Sequence, residues 1–134
     1  MEIKRISYGL EAIELTILIN KYNNLKNKIS VLQVYNGSHF VIIDNKGKVL
    51  GGIGYRLHSW YLCEICHLVI HPKYRKNGIA KELIKFLLDK KISHLYFATI
   101  YKNNTPSISL FYSLGFDRVA EITSKENLYL KEIK

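Results

Sequence analysis

Within residues 71–91, HPKYRKNGIAKELIKFLLDKK, the cations Lys73, Arg75 and Lys76 stand just before Gly78 and an apolar helical stripe. The first four backbone N–H groups of a helix have no partner inside it, and the aligned peptide dipoles place about half a positive charge at that end. A glycine there lets an anion reach those groups without meeting a Cβ. Arg75 and Lys76 add charge, and the small Ala80 keeps the approach open. Residues 75–80 therefore read as a phosphate cradle. They are not a P-loop, because the G-x-x-x-x-G-K-[ST] spacing and its magnesium-binding hydroxyl are both missing. A diphosphate held without a metal fits the pattern.

A second group of reactive side chains lies just upstream in YLCEICHLVI, residues 61–70. Its C-x-x-C-H spelling matches a haem attachment pattern, and Cys63, Cys66, His67 and His71 have zinc-like spacing. In a strand, however, successive side chains alternate faces, so Cys63 and Cys66 point apart and cannot converge on one ion. No metal is expected there. Two cysteines in this setting suit a reducing compartment. Glu64 is a carboxylate inside an apolar strand, which is costly unless the group is paired or functional.

These residues need elements to place them. A strand is expected near 2–7, followed by a helix over 9–22 with Leu10, Ile13, Ile17 and Leu18 on its apolar stripe. More helix follows to about Val34. HFVIID, NKGK and VLGGIGYRL predict a hairpin, with Asn45 and Gly47 taking positive φ in its turn. Gly51, Gly52 and Gly54 make no dinucleotide fingerprint, since no helix follows. They mark a strand that something approaches closely. Residues 61–70 read as a strand, 78–91 as a helix and 93–101 as a strand, together a parallel crossover unit. A short helix over 105–114 ends at Gly115 in the left-handed region. Strands near 117–122 and 127–133 complete a single domain over residues 1–134.

With 134 residues, 48% of them hydrophobic, the chain can bury a core. It carries 20 Lys and Arg against 11 Asp and Glu, net +9, and residues 71–91 alone are net +5. Solvated helix faces account for part of that excess. The apolar run 13–19 is too short to span a bilayer, no secretion signal is legible, and a cytoplasmic location is expected. No nucleic-acid-recognition pattern accompanies the basic charge, so nucleic acid is not an expected partner.

The stretch Arg75-Lys76-Asn77-Gly78-Ile79-Ala80 resembles the coenzyme A signature [RQ]-x-x-G-x-[GA] of the GNAT superfamily of N-acetyltransferases. Leu68-Val69-Ile70-His71-Pro72 is similar to the segment that often precedes that signature. NTPSISLFYSLGF, residues 104–116, resembles the family's N-x-x-A-…-Y-x-x-L-G-F around its last helix. The resemblance covers the whole chain. It implies an α/β (α+β) fold with a mixed, mostly antiparallel central sheet, splayed in the middle and flanked by helices. It also implies acetyl-CoA in the opening beside the 61–70 strand, transferring its acetyl group to a primary amine by direct attack through a tetrahedral intermediate. Backbone groups of Leu68, Val69 and Ile70 would pair with the pantetheine arm, and amides of Arg75, Lys76, Asn77, Gly78, Ile79 and Ala80 with the diphosphate. Asn104 matches a family asparagine that contacts the cofactor, and it also suits the N-cap of its helix. Phe111 belongs to the same cofactor-contacting set.

Glu64 falls in a register where several family members carry a catalytic Glu or His, so it is the candidate base that frees the amine. Its other reading is a strand-end carboxylate paired with a lysine. A backbone N–H near Ile70 would stabilise the oxyanion. The family's proton-donating tyrosine falls on Phe111, which has no proton to give. Its neighbour Tyr112, turned by about 100° on a helix, is the candidate acid or else a packing aromatic. A thiol pKa near 8.5 lets the thiolate leave without an acid at modest cost. His67 and His71 read as structural. Tyr22, Tyr35, Trp60 and Tyr61 form either an acceptor-binding wall or part of the core. The acceptor is a small amine, a protein lysine or a protein N-terminus, and the chain acts as a monomer or homodimer. A catalytically weak or inactive acyl-CoA-binding regulatory module is the alternative.

Overall fold

Gly51, Gly52 and Gly54 show how closely the elements pack. A Cβ on Gly51 would lie 2.5 Å from the Val69 carbonyl oxygen, and one on Gly52 would lie 2.6 Å from a Leu15 methyl. A Cβ on Gly54 would sit 2.7 Å from the His39 ring. The close approach expected from sequence is made by a neighbouring strand, a helix and an imidazole. These contacts come from a computed structural model that describes residues 1–133.

The elements run β1 (Glu2–Arg5), α1 (Leu10–Tyr22), α2 (Val31–Asn36), β2 (Ser38–Ile43), β3 (Val49–Ser59) and β4 (Leu62–Ile70), then a 3-10 turn at Pro72–Tyr74. There follow α3 (Ile79–Asp89), β5 (Leu95–Tyr101), α4 (Thr105–Ser113), β6 (Asp117–Glu121) and β7 (Glu126–Glu132). The seven strands form one sheet in the order β1-β2-β3-β4-β5-β7-β6. Strands β4 and β5 are parallel from Leu62↔Leu95 to Glu64↔Phe97, as the crossover reading requires. The pairs β1–β2, β2–β3, β5–β7 and β6–β7 are antiparallel. The expected mixed, mostly antiparallel sheet flanked by helices is present.

The chain divides into two compact units, one of Met1–Arg56 with Cys66–Phe86, the other of Leu57–Ile65 with the chain from Leu87 on. In the first, Ile6, Ala12, Leu15, Leu18, Ile19, Val34, Val41, Val49 and Val69 form a buried cluster. Helix α1 departs from its expected face. Leu10, Ile13 and Ile17 are exposed, whereas Ala12, Leu15, Thr16, Leu18 and Ile19 are buried. The helix is apolar on two sides, and the notch over Gly52 selects Leu15. Asn20 fixes the α1–α2 connection by exchanging hydrogen bonds with the Ile29 backbone at 2.8 and 2.9 Å. Ser30 and Gln33 then form a capping box at the start of α2.

In the β2–β3 turn only part of the expectation holds. Gly47 takes φ +81°, but Asn45 does not have positive φ. Instead the Asp44 carboxylate accepts the N–H groups of Lys46 and Lys48, each at 2.9 Å, and that closes the turn.

In the second unit Cys63, Tyr96, Ala98, Phe111, Phe116 and Tyr129 are buried. Gly115 ends α4 at φ +89°, as expected. Strand β6 is exposed along its whole length, which suits an edge strand paired on one side only.

Candidate functional site

The segment from Leu68 to Ala80 belongs wholly to the first unit. Val69 and Ile70 are buried at the end of β4, and the His71 N–H donates to the Leu50 carbonyl at 2.8 Å, anchoring the strand end against β3. Pro72–Tyr74 then turns the chain. Here His71 Nδ1 accepts the Lys73 N–H at 3.1 Å. The Arg75 Nε–H donates to the Ile70 carbonyl at 3.0 Å, and the guanidinium carbon lies 5.2 Å from the Tyr22 ring centroid. That clamp folds the loop back onto the strand end it has just left.

Lys76 and Gly78 both have positive φ, +66° and +76°, with Asn77 between them outside that region. Alternation of this kind turns successive backbone N–H groups toward one concavity, the arrangement that binds anions. The glycine at position 78 was foreseen, but the left-handed lysine was not, since only glycine adopts this region freely. A Cβ on Gly78 would meet nothing within 4 Å, so the space beside the loop is open. The Glu82 N–H donates to the Gly78 carbonyl at 3.1 Å, so the helical bonding of α3 starts there. Ile79 is buried and anchors the first turn, which leaves only its backbone for a ligand.

Positive charge gathers around this loop from segments far apart in sequence. The His71 imidazole is held below its ordinary pKa by burial first, then by Lys48, Lys73, Lys21 and Arg75. Two of those cations were missed by sequence reasoning: Lys21 ends α1 and Lys48 precedes β3. Lys48 Nζ lies 5.8 Å from the Tyr74 ring centroid and Lys21 Nζ lies 5.3 Å from that of Tyr22. Only the fold brings them to one place.

His67, read as structural, takes φ +52° within β4, and its Nδ1 is 2.9 Å from His39 Nε2. The two rings stack with centroids 5.2 Å apart. His39 is 4% exposed. Its pKa falls to about 4, mainly through burial and then through the charges of His67 and Arg56.

Glu64, Asn104, Phe111, Tyr112, Trp60 and Tyr61 belong to the second unit. Glu64 Oε1 lies 2.8 Å from Nε2 of His58, not from a lysine. The His58 ring tilts over Phe97, with centroids 5.4 Å apart. Asn104 caps α4, its Oδ1 accepting the Ser107 N–H at 3.3 Å. Phe111 is 3% exposed and packs edge-on to Phe116; little of its ring remains for a ligand. Tyr112 is exposed and packs edge-on to Tyr129. Trp60 and Tyr61 are exposed and pack edge to face on each other. In the first unit Tyr22 carries Arg75 and Tyr35 packs on Tyr8, so none of these four aromatics is core.

Comparison with known proteins bears on the fold and the family. The UPF0157 protein YqkA of Bacillus subtilis is 30% identical over 107 residues, covering 79% of this chain. This chain spans 31% of that relative's length. The N-terminal acetyltransferase B complex catalytic subunit NAA20 of Arabidopsis thaliana is 30% identical over 74 residues, which cover 52% of this chain and 42% of that protein. A GNAT family acetyltransferase from Elizabethkingia anophelis, solved with acetyl-CoA bound, superposes with a TM-score of 0.78 at 14% identity. That match covers 98% of this chain and 97% of the other. The model of the Acetyltransferase (GNAT) family matches residues 10–116. That match takes in most of the chain, including the loop between β4 and α3: the chain belongs to the GNAT family of acetyltransferases.

Proposed function

We propose that the chain is an acetyl-CoA-dependent N-acetyltransferase that transfers an acetyl group to a primary amine. The observation that carries this reading is the loop from Arg75 to Ala80. Lys76 and Gly78 are left-handed there, the space beside Gly78 is open, and Lys21, Lys48, Lys73 and Arg75 gather around His71 just before it. Amides of residues 75–80 hold the diphosphate of acetyl-CoA, and backbone groups of Leu68–Ile70 order its pantetheine arm. Asn104 adds a cofactor contact with its amide nitrogen, since Oδ1 caps α4, while Phe111, whose ring is buried, backs that helix from the core. The acceptor is a small amine, a lysine side chain or a protein N-terminus, and NAA20, an N-terminal acetyltransferase subunit, favours the last. We place this work in the cytoplasm, where cysteines such as Cys63 and Cys66 stay reduced.

Amide formation needs an amine without its extra proton, a stabilised oxyanion and a departing thiolate. Glu64 supplies the negative charge that draws the proton away. A backbone N–H near Ile70 meets the oxyanion. Tyr112 is the proton source for the thiolate, and because thiols are acidic its help is worth little. The packing of Tyr112 on Tyr129, with Phe111 in the core, favours the second reading of a catalytically weak acyl-CoA-binding module.

Intact-mass spectrometry after incubation with acetyl-CoA and an acceptor panel separates the two readings. The panel holds spermidine, lysine-containing peptides and peptides with free N-termini. The proposed activity adds 42 Da per acetyl group to at least one acceptor (about the mass of C2H2O). Coenzyme A binding with no acetylated product would leave the binding module standing.

A further inference from the structure

His58 was not among the residues singled out by sequence, yet it is the side chain that Glu64 holds. Its Nε2 is 2.8 Å from Glu64 Oε1, and its ring rests on Phe97, the residue paired with Glu64 across β4 and β5. The imidazole is therefore fixed by a hydrogen bond at one nitrogen and by ring packing on one face. The two side chains differ in access to solvent. That of His58 is 47% exposed and that of Glu64 is 21% exposed, so the imidazole is the member of the pair that an incoming amine meets first.

We propose that Glu64 acts through His58, which is the group that takes the proton from the acceptor amine. This rests on the acetyltransferase reading and assigns its proton acceptor. A carboxylate accepting the Nε2–H fixes the tautomer in which Nδ1 carries a free lone pair. The same carboxylate keeps its bond to Nε2–H when Nδ1 takes a proton, so the ring holds its place through the step. The acceptor ammonium gives one proton to Nδ1, which passes it to water. The freed amine nitrogen then bonds to the thioester carbonyl carbon. Collapse of the tetrahedral intermediate breaks the carbon–sulfur bond; Tyr112 protonates the leaving thiolate, and the second nitrogen proton replaces the one it gives. The products are the amide, coenzyme A thiol and one proton released to solvent.

The test combines an acceptor-independent readout with a kinetic one, both on the full chain. Nitrogen-15 NMR of the imidazole should find His58 as the Nε2–H tautomer in the wild type, and as a mixture of tautomers in Glu64→Gln. Thiol release from acetyl-CoA, with the peptide and spermidine panel as acceptors, should fall about 100-fold in kcat for His58→Ala, with KM for acetyl-CoA unchanged. Added imidazole should restore at least a tenth of it, which a merely structural role for His58 would not permit. An Nδ1–H tautomer, or a His58→Ala enzyme within threefold of wild type, overturns the proposal. Absence of thiol release from the wild type would instead overturn the acetyltransferase reading beneath it. The NMR arm judges the pair in either case.

Discussion

His39 is the residue whose charge state is most tightly bound to the fold. Its pKa in the folded chain is about 4 against an ordinary 6.5, because burial and the nearby charges of His67 and Arg56 oppose protonation. Above pH 6.5 the ring is neutral folded or unfolded, and the fold loses nothing. Between 6.5 and 4 the unfolded chain binds a proton that the folded chain does not, so stability falls as the pH drops. The loss should reach about 3 kcal/mol below pH 4. Urea denaturation across this range measures it, and His39→Asn should remove that part of the slope. At this scale the sequence shows residue types but not angles or partners. Gly78 was legible because a bare helix start asks for glycine. The left-handed Lys76 and His67 were not, since nothing in a lysine or histidine announces positive φ. Glu64 was legible as a carboxylate out of place in an apolar strand, but its partner lies six positions away on the facing strand, and no local pattern selects His58 over a lysine.

At the level of elements, periodicity and turn residues located the longer helices and the strands but not the 3-10 turn at Pro72–Tyr74 or the true end of α2 at Asn36, while packing decided which faces they bury. Helix α1 shows the difference. Leu10, Ile13 and Ile17 make one apolar stripe, and Ala12, Leu15 and Ile19 make another. The second wins because Leu15 fits over Gly52, where a Cβ would leave no room. The glycines of β3 are equally exacting on the strand side. In Gly51→Ala the new Cβ would lie 2.5 Å from a backbone oxygen of Val69, and backbone cannot swing aside as a flexible side chain can. The substitution should destabilise the fold by about 2 kcal/mol or more. It should also weaken coenzyme A binding, because it displaces Val69 and Ile70 from the strand end that carries the loop. Thermal unfolding followed by a binding titration on the same sample checks both effects. Wild-type values for both would show that β3 and β4 tolerate a wider spacing at that point.

For the molecule as a whole, a net charge of +9 took on meaning only through its distribution. Sequence placed Lys73, Arg75 and Lys76 together; the fold adds Lys21 from α1 and Lys48 from the β2–β3 turn. Five cations near His71 and the open loop that follows it would suit a ligand of several phosphate charges, which is the site proposed for coenzyme A. The measurement that tests the central claim most directly is calorimetric titration of the full chain with coenzyme A, repeated on Gly78→Val. The account predicts measurable heat with a micromolar dissociation constant, weakened at least tenfold in Gly78→Val while that variant stays folded by circular dichroism. No heat from the wild type, or equal affinity in a folded Gly78→Val chain, would contradict it.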